Sequence, residues 1–203
     1  MKFCKLKWVF VALSFLTAGI SRAADYNYRS LSEDGNYQQA KAGFSNFLAN
    51  AKDDPSELQN ITINLSLFLR DASRFGDYDA VDWLQKHIKE HEARLKKVNN
   101  SDADIDAFGL LILSDIAVIN NPAYTHESRQ EIIDSHENIR YPYLWDAELI
   151  FVCNQIIDFY LGTGNIKDAQ QRANSCLGQI ALRNMYSLDE ALSFIARFSQ
   201  IRL

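Results

Sequence analysis

Gly35-Asn36-Tyr37-Gln38-Gln39-Ala40 returns in altered form as Gly76-Asp77-Tyr78-Asp79-Ala80-Val81, and again as Gly164-Asn165-Ile166-Lys167-Asp168-Ala169. The glycines stand 41 and 88 residues apart, and 88 is twice 44. A missing member is expected near residue 120, where Asn120-Asn121-Pro122 makes a turn. Glycine punctuates chain turns because it adopts backbone angles that other residues avoid. Helix pairs repeating every 40–45 residues indicate stacked hairpins.

The stretches between these turns carry helical periodicity. Leu58, Ile61, Leu65, Phe68, Leu69 and Ala72 mark one apolar face; Ile105, Phe108, Leu111, Ile112, Ile116 and Ile119 mark a second. Leu144, Leu149, Val152, Ile156, Phe159 and Tyr160 mark a third. Spacing by three and four residues puts such sets on one side of a helix. Start signals agree: Asp54-Pro55-Ser56-Glu57 supplies a cap, a proline in the first turn and a glutamate. Ser101, Thr125 and the box Ser187-Leu188-Asp189-Glu190 open later helices. The pattern predicts helices over 36–51, 55–75, 78–98, 102–120, 126–138, 143–161, 166–183 and 188–201, hence an all-α fold of antiparallel hairpins.

Gly35-x-Tyr37-x-x-Ala40-x-x-x-Phe44 resembles the turn between the two helices of a tetratricopeptide repeat. Gly164-x-Ile166-x-x-Ala169 is similar, with Tyr160 at the aromatic position before the turn. Val81 departs from the small residue expected, and the spacing exceeds the usual 34 or so residues. The resemblance covers about half of the chain after residue 23. It implies a short α-solenoid with a concave protein- or peptide-binding face, and names no partner.

Residues 1–23 read as a secretory signal peptide. Lys2, Lys5 and Lys7 precede an apolar run from Trp8 to Ile20, and Ser21 and Ala23 are small at the positions before cleavage. The alternative is an uncleaved anchor, for which the run is short against the roughly 20 residues a bilayer needs. Removing this leader, and Cys4 with it, predicts a single domain over 24–203 and a periplasmic or secreted location. Four basic residues leave and no acidic one, so the formal charge passes from −5 to −9. Such a chain repels phosphate backbones and anionic membrane surfaces and favours a basic protein partner.

Cys153 and Cys176 remain. Each lies 11.5 residues from the centre of the Gly162-Thr163-Gly164-Asn165 loop, which puts both at one height in an antiparallel hairpin. An oxidising compartment then predicts a disulfide, with two free buried thiols as the alternative.

Few residues offer chemistry. His87-Ile88-Lys89-Glu90-His91 matches the inverted zincin pattern, with two histidines for a metal and a glutamate for a base. A third ligand would still be needed, with Asp168 as a distant candidate, and the charge-rich stretch Lys86 to Lys97 reads as a solvated face on which both histidines tolerate replacement. Asp102-Ala103-Asp104-Ile105-Asp106 begins like a calcium loop but has Ala107 and Leu113 at its decisive positions, so it reads as an acidic first helical turn. Tyr141-Pro142-Tyr143-Leu144-Trp145 is the densest aromatic stretch, an interface anchor or a packing staple. Asn60, Asn64 and Asn99 head glycosylation triplets. There is no nucleophile elbow, phosphate loop or dinucleotide fingerprint, and no cofactor is implied.

These readings point to an exported, non-enzymatic protein-interaction module, an adaptor or a periplasmic immunity or inhibitor protein among its forms. Tyr141, Tyr143 and Trp145 are its candidate partner-binding residues. A metal-dependent hydrolase built on His87, Glu90 and His91 is the alternative, and a ligand-binding helical domain is a third reading.

Overall fold

The computed structural model describes residues 34–98, 101–136, 144–181, 183 and 192–197, the side chains of 101–104 excepted. The expected leader, the residues Tyr141 and Tyr143, and the capping box at Ser187 lie outside the described residues. The described chain is helical, with no strand among its residues. It forms two compact units, Met1–Ala51 and Lys52–Leu203.

In the first unit, α1 spans Tyr37–Asn50 and follows Gly35, whose φ is 76°. Tyr37, Ala40 and Phe44 are buried along one side of it.

The second unit begins with α2, Pro55–Phe75, whose start is fixed as its sequence predicts: the Asp54 carboxylate accepts from the Ser56 and Glu57 N–H groups at 3.1 and 3.0 Å. Gly76 ends it with φ 73°, and the Asp77 N–H closes on the Ala72 carbonyl at 2.9 Å. Asp77 then caps α3, Tyr78–Leu95, by accepting from the Ala80 N–H. The hairpin so formed packs against α4, Ser101–Ile116, with both α2 and α3 touching it. Two side chains tie the three together. Ser73 Oγ donates to the Ala117 carbonyl at 2.9 Å, and Gln85 Nε2 donates to the Ser114 carbonyl at 3.0 Å.

The turn near residue 120 replaces glycine with a longer tightened stretch. The N–H groups of Ile119, Asn121 and Tyr124 each reach back three residues. Thr125 then opens α5, His126–His136, accepting from the Ser128 N–H. Asn120 Nδ2 reaches across to Gln155 Oε1 at 2.7 Å, joining this turn to α6, Asp146–Gly162. The last hairpin pairs α6 with α7, Ile166–Ala181, through the Gly164 turn, φ 76°. Helix α6 is buried nearly all round, as its apolar sequence requires, and packs also on α2 and α4. Helix α7 buries one stripe, Ala169, Ala173, Cys176 and Ile180. A final helical turn over 192–197 lies against α6, where Arg197 meets Asp158 and Asn154.

Ala40, Val81 and Ala169, the corresponding positions of the three sequence copies, are each fully buried. The architecture is thus all-α, with helix hairpins stacked side by side. The Cys153 and Cys176 sulfurs lie 2.16 Å apart, at disulfide distance, with Cα atoms separated by 6.1 Å.

Candidate functional site

The aromatic stretch before α6 separates two behaviours in adjacent residues. Leu144 is 3% exposed and seats over Gly109 of α4, while Trp145 is 45% exposed. The difference follows from where the helix begins. Trp145 has extended backbone and precedes the first helical residue, Asp146, three residues later than the sequence predicts. Glu148, three residues on, turns back and accepts the Trp145 N–H at 3.0 Å. That is half of a capping box; an indole has no oxygen to complete the other half. Arg183 fixes the same corner, donating to the Leu144 carbonyl at 2.6 Å and lying 3.6 Å from the Asp146 carboxylate.

Glu148 is itself buried and accepts the Ser66 hydroxyl of α2 at 2.5 Å. Trp145 therefore stands on a rigid base, its backbone tied to a carboxylate that is tied to another helix. Thr62, Ile105, Asp106, Gly109 and Leu110 join Trp145 and Glu148 around a small opening at this point. Ile105 is also exposed at its edge. The stretch that begins like a calcium loop is part of α4 here, so it provides a helical surface and no loop.

The histidine pair corrects the sequence reading. His87 and His91 do not share a solvated face. His91 is 2% exposed and points into the unit, its Nε2 2.9 Å from Thr62 Oγ1. The Thr62 hydroxyl is also 3.1 Å from the Leu58 carbonyl. With that hydroxyl donating to Leu58, His91 Nε2–H donates to Thr62. His91 Nδ1 then has no hydrogen-bond partner among the described residues. Burial, reinforced by the nearby Arg94 charge, lowers the His91 pKa to about 4. His87 instead packs edge-on against Trp83 and meets the exposed Glu90 at 3.1 Å. His87 and Glu90 thus meet at the surface, while His91 is turned into the unit away from them. Among the described residues no three His, Cys, Asp or Glu side chains form a group able to hold a metal.

A second concavity of about 580 Å³ lies between α5 and α7, lined by Gln130, Ile133, Asp134, Tyr160, Asp168 and Arg172 among others. Its carboxylates are engaged locally, Asp134 with Gln130 of the same helix and Asp168 with Asn165, the residue just before α7. Beside it, His126 stacks on Phe159 and Arg129 lies 5.5 Å from the same ring, a packing role for that histidine. His136 is buried and meets Asp115 at 3.2 Å. The triplet asparagines Asn60 and Asn64 lie within α2 and bond each other, and Asn64 is buried.

No helix among the described residues is long and apolar enough to cross a membrane. No protein-family model, curated protein or solved structure matches the chain.

Proposed function

We infer that the protein is an exported, non-enzymatic interaction module that binds a protein partner on its helical surface, with Trp145 as an anchor. One observation carries the reading: a large aromatic side chain is left half exposed while its backbone is held by a buried carboxylate. Interfaces concentrate their energy in aromatic side chains that are rigid before binding, because little freedom is then lost. The backbone bond also caps helix α6, so the exposure of the indole beside that fixed backbone is what supports a partner here. Export is supported by the composition of residues 1–23 and by two cysteines at disulfide distance. The acidic excess left after leader removal favours a basic partner, mostly through a faster encounter. The tetratricopeptide-like solenoid remains part of this proposal, supported by the three glycine turns and by the buried residues Ala40, Val81 and Ala169 that follow them, two of them small.

The test is copurification from the native source with wild-type protein and with Trp145→Ala. The expected result is one protein retained by the wild type and lost with the variant, at a melting temperature within a few degrees of the original. A melting temperature that collapses, with the partner still bound by the remaining folded protein, reverses the assignment of Trp145 from anchor to packing.

A further inference from the structure

Tyr160 carries an unmet hydrogen-bonding group at a place where the fold leaves space. It is 9% exposed, with its ring packed edge-on against Phe159. Its hydroxyl has no hydrogen-bond partner among the described residues, yet it is not sealed from solvent. A phenol at this depth ordinarily finds a partner, because a buried polar group left unpaired costs free energy. The space that Tyr160 lines is the concavity of about 580 Å³ between α5 and α7. Sites for small molecules usually measure roughly 300–1,000 Å³.

Helical spacing sets the walls. Asp168, Gln171 and Ser175 stand three and then four residues apart on α7, so all three line one side. Ile133 and Asp134 line the other from α5. Arg172 shares the α7 stripe but has an interaction of its own. Cys176, next to Ser175, lies at disulfide distance from Cys153 of α6, the helix that carries Tyr160, so wall and floor are fastened together.

This lining selects a chemistry. Tyr160 and Ser175 offer hydroxyls, and Gln171 an amide. The carboxyl oxygens of Asp134 and Asp168 keep lone pairs beyond their bonds to Gln130 and Asn165. An anion brings only acceptors to walls that already carry carboxyl oxygens. A cation brings only donors and leaves the Tyr160 proton unaccepted. A hydrocarbon answers neither and leaves the polar groups unpaired. A ligand hydroxyl donates and accepts at once. The floor adds an apolar surface, the Tyr160 ring beside Ile133, which is 1% exposed. A sugar combines hydroxyl-bearing edges with a face of C–H groups.

We propose that this concavity binds a neutral mono- or disaccharide, its hydroxyls bonded by Tyr160, Asp134 and the α7 stripe, its C–H face laid on Ile133 and the Tyr160 ring. The site shares no lining residue with the opening beside Trp145, so it stands independently of the interface reading above.

The probes are maltose, cellobiose and N,N′-diacetylchitobiose, with glucuronic acid and cyclohexanol beside them. Each is titrated into the exported, oxidised protein while the Tyr160 ring and the amides of Gln171 and Ser175 are followed by NMR. At least one of the three neutral disaccharides is expected to shift all three signals to saturation. Glucuronic acid and cyclohexanol are expected to leave them in place at the same concentrations. Tyr160→Phe, which removes only the hydroxyl, is expected to weaken that binding at least about five-fold. Asp134→Ala, on the exposed surface of α5, is expected to weaken it as well, and serves if Tyr160→Phe does not fold. Binding that survives both substitutions unchanged overturns the proposal. So does glucuronic acid or cyclohexanol binding as tightly as the neutral sugars. If none of the three disaccharides moves the Tyr160 signal, the saccharide site falls.

Discussion

His91 shows how one residue's surroundings set its chemistry. Its neighbours in sequence are charged, which is why the segment reads as solvated, yet Val81, Leu84, Ile88, His91 and Leu95 fall at helical spacing and are buried together. The signal was present in that periodicity, and the charge density of the other faces masked it. Glu148 was illegible for a similar reason: an acid within an apolar stretch gives no sign that it faces a serine 82 residues earlier. The His91 environment predicts an acid-sensitive fold. Burial and the Arg94 charge hold its native pKa near 4, against about 6.5 when unfolded. Between those values the unfolded chain takes up a proton that the native chain refuses, so stability falls as pH falls. The contribution is complete above about pH 6.5 and is lost progressively toward pH 4, with an upper bound on the order of 3 kcal/mol. Denaturant midpoints measured from pH 7.5 to 4 are expected to drop accordingly, and His91→Leu is expected to flatten that dependence. His91→Ala, by contrast, leaves a cavity and is expected to lower stability by about 2 kcal/mol at pH 7.5. A variant as stable as the wild type there contradicts the buried placement.

At the scale of elements, the helices were legible wherever a local signal fixed an end. Asp54, Pro55 and Gly76 define α2 over the very residues that the sequence predicts. Where the end depends on tertiary contacts, the sequence misplaced it. Helix α6 starts at Asp146 because Leu144 is drawn onto α4 and Glu148 is drawn toward Ser66, and neither pull is local. Helix α4 stops at Ile116 because the following residues tighten into three-residue turns before Asn120 reaches Gln155. The glycine turns give a clean test of the repeat. Gly164 has φ 76°, and a Cβ added there would meet nothing within 4 Å. Alanine at 164 therefore suffers only from its backbone conformation, a penalty of about 1–2 kcal/mol. Gly164→Ala is expected to lower the unfolding free energy by that amount, and Gly178→Ala, in the last turn of α7 and equally open, to leave it unchanged or raise it by up to about 1 kcal/mol. Equal effects at the two sites would show that the turn conformation is not what Gly164 supplies.

Across the whole molecule, the hairpins are not held equally. Helices α2, α3 and α4 each touch the other two, and α6 is buried on nearly every side. Helix α7 packs chiefly on α6 through one narrow stripe, and that stripe contains Cys176. With small residues at Ala169 and Ala173, it buries little apolar area beyond Ile180 and the cysteine itself. The Cys153–Cys176 link closes 23 residues of chain, worth roughly 3 kcal/mol in chain-entropy terms. The link thus fastens α7 to the one helix on which it chiefly packs. Oxidised protein recovered from its exported location is expected to show no free thiol at either position. Reduction, or the Cys153→Ala/Cys176→Ala pair, is then expected to release α7 first. Hydrogen exchange reads this directly: amides of α7 are expected to lose protection about a hundred-fold relative to the oxidised form, while those of α2 and α4 change far less. Two free thiols in the oxidised preparation refute the link. A uniform loss of protection across all helices refutes the graded architecture, since it would mean that α7 is as firmly integrated as the helices at the centre.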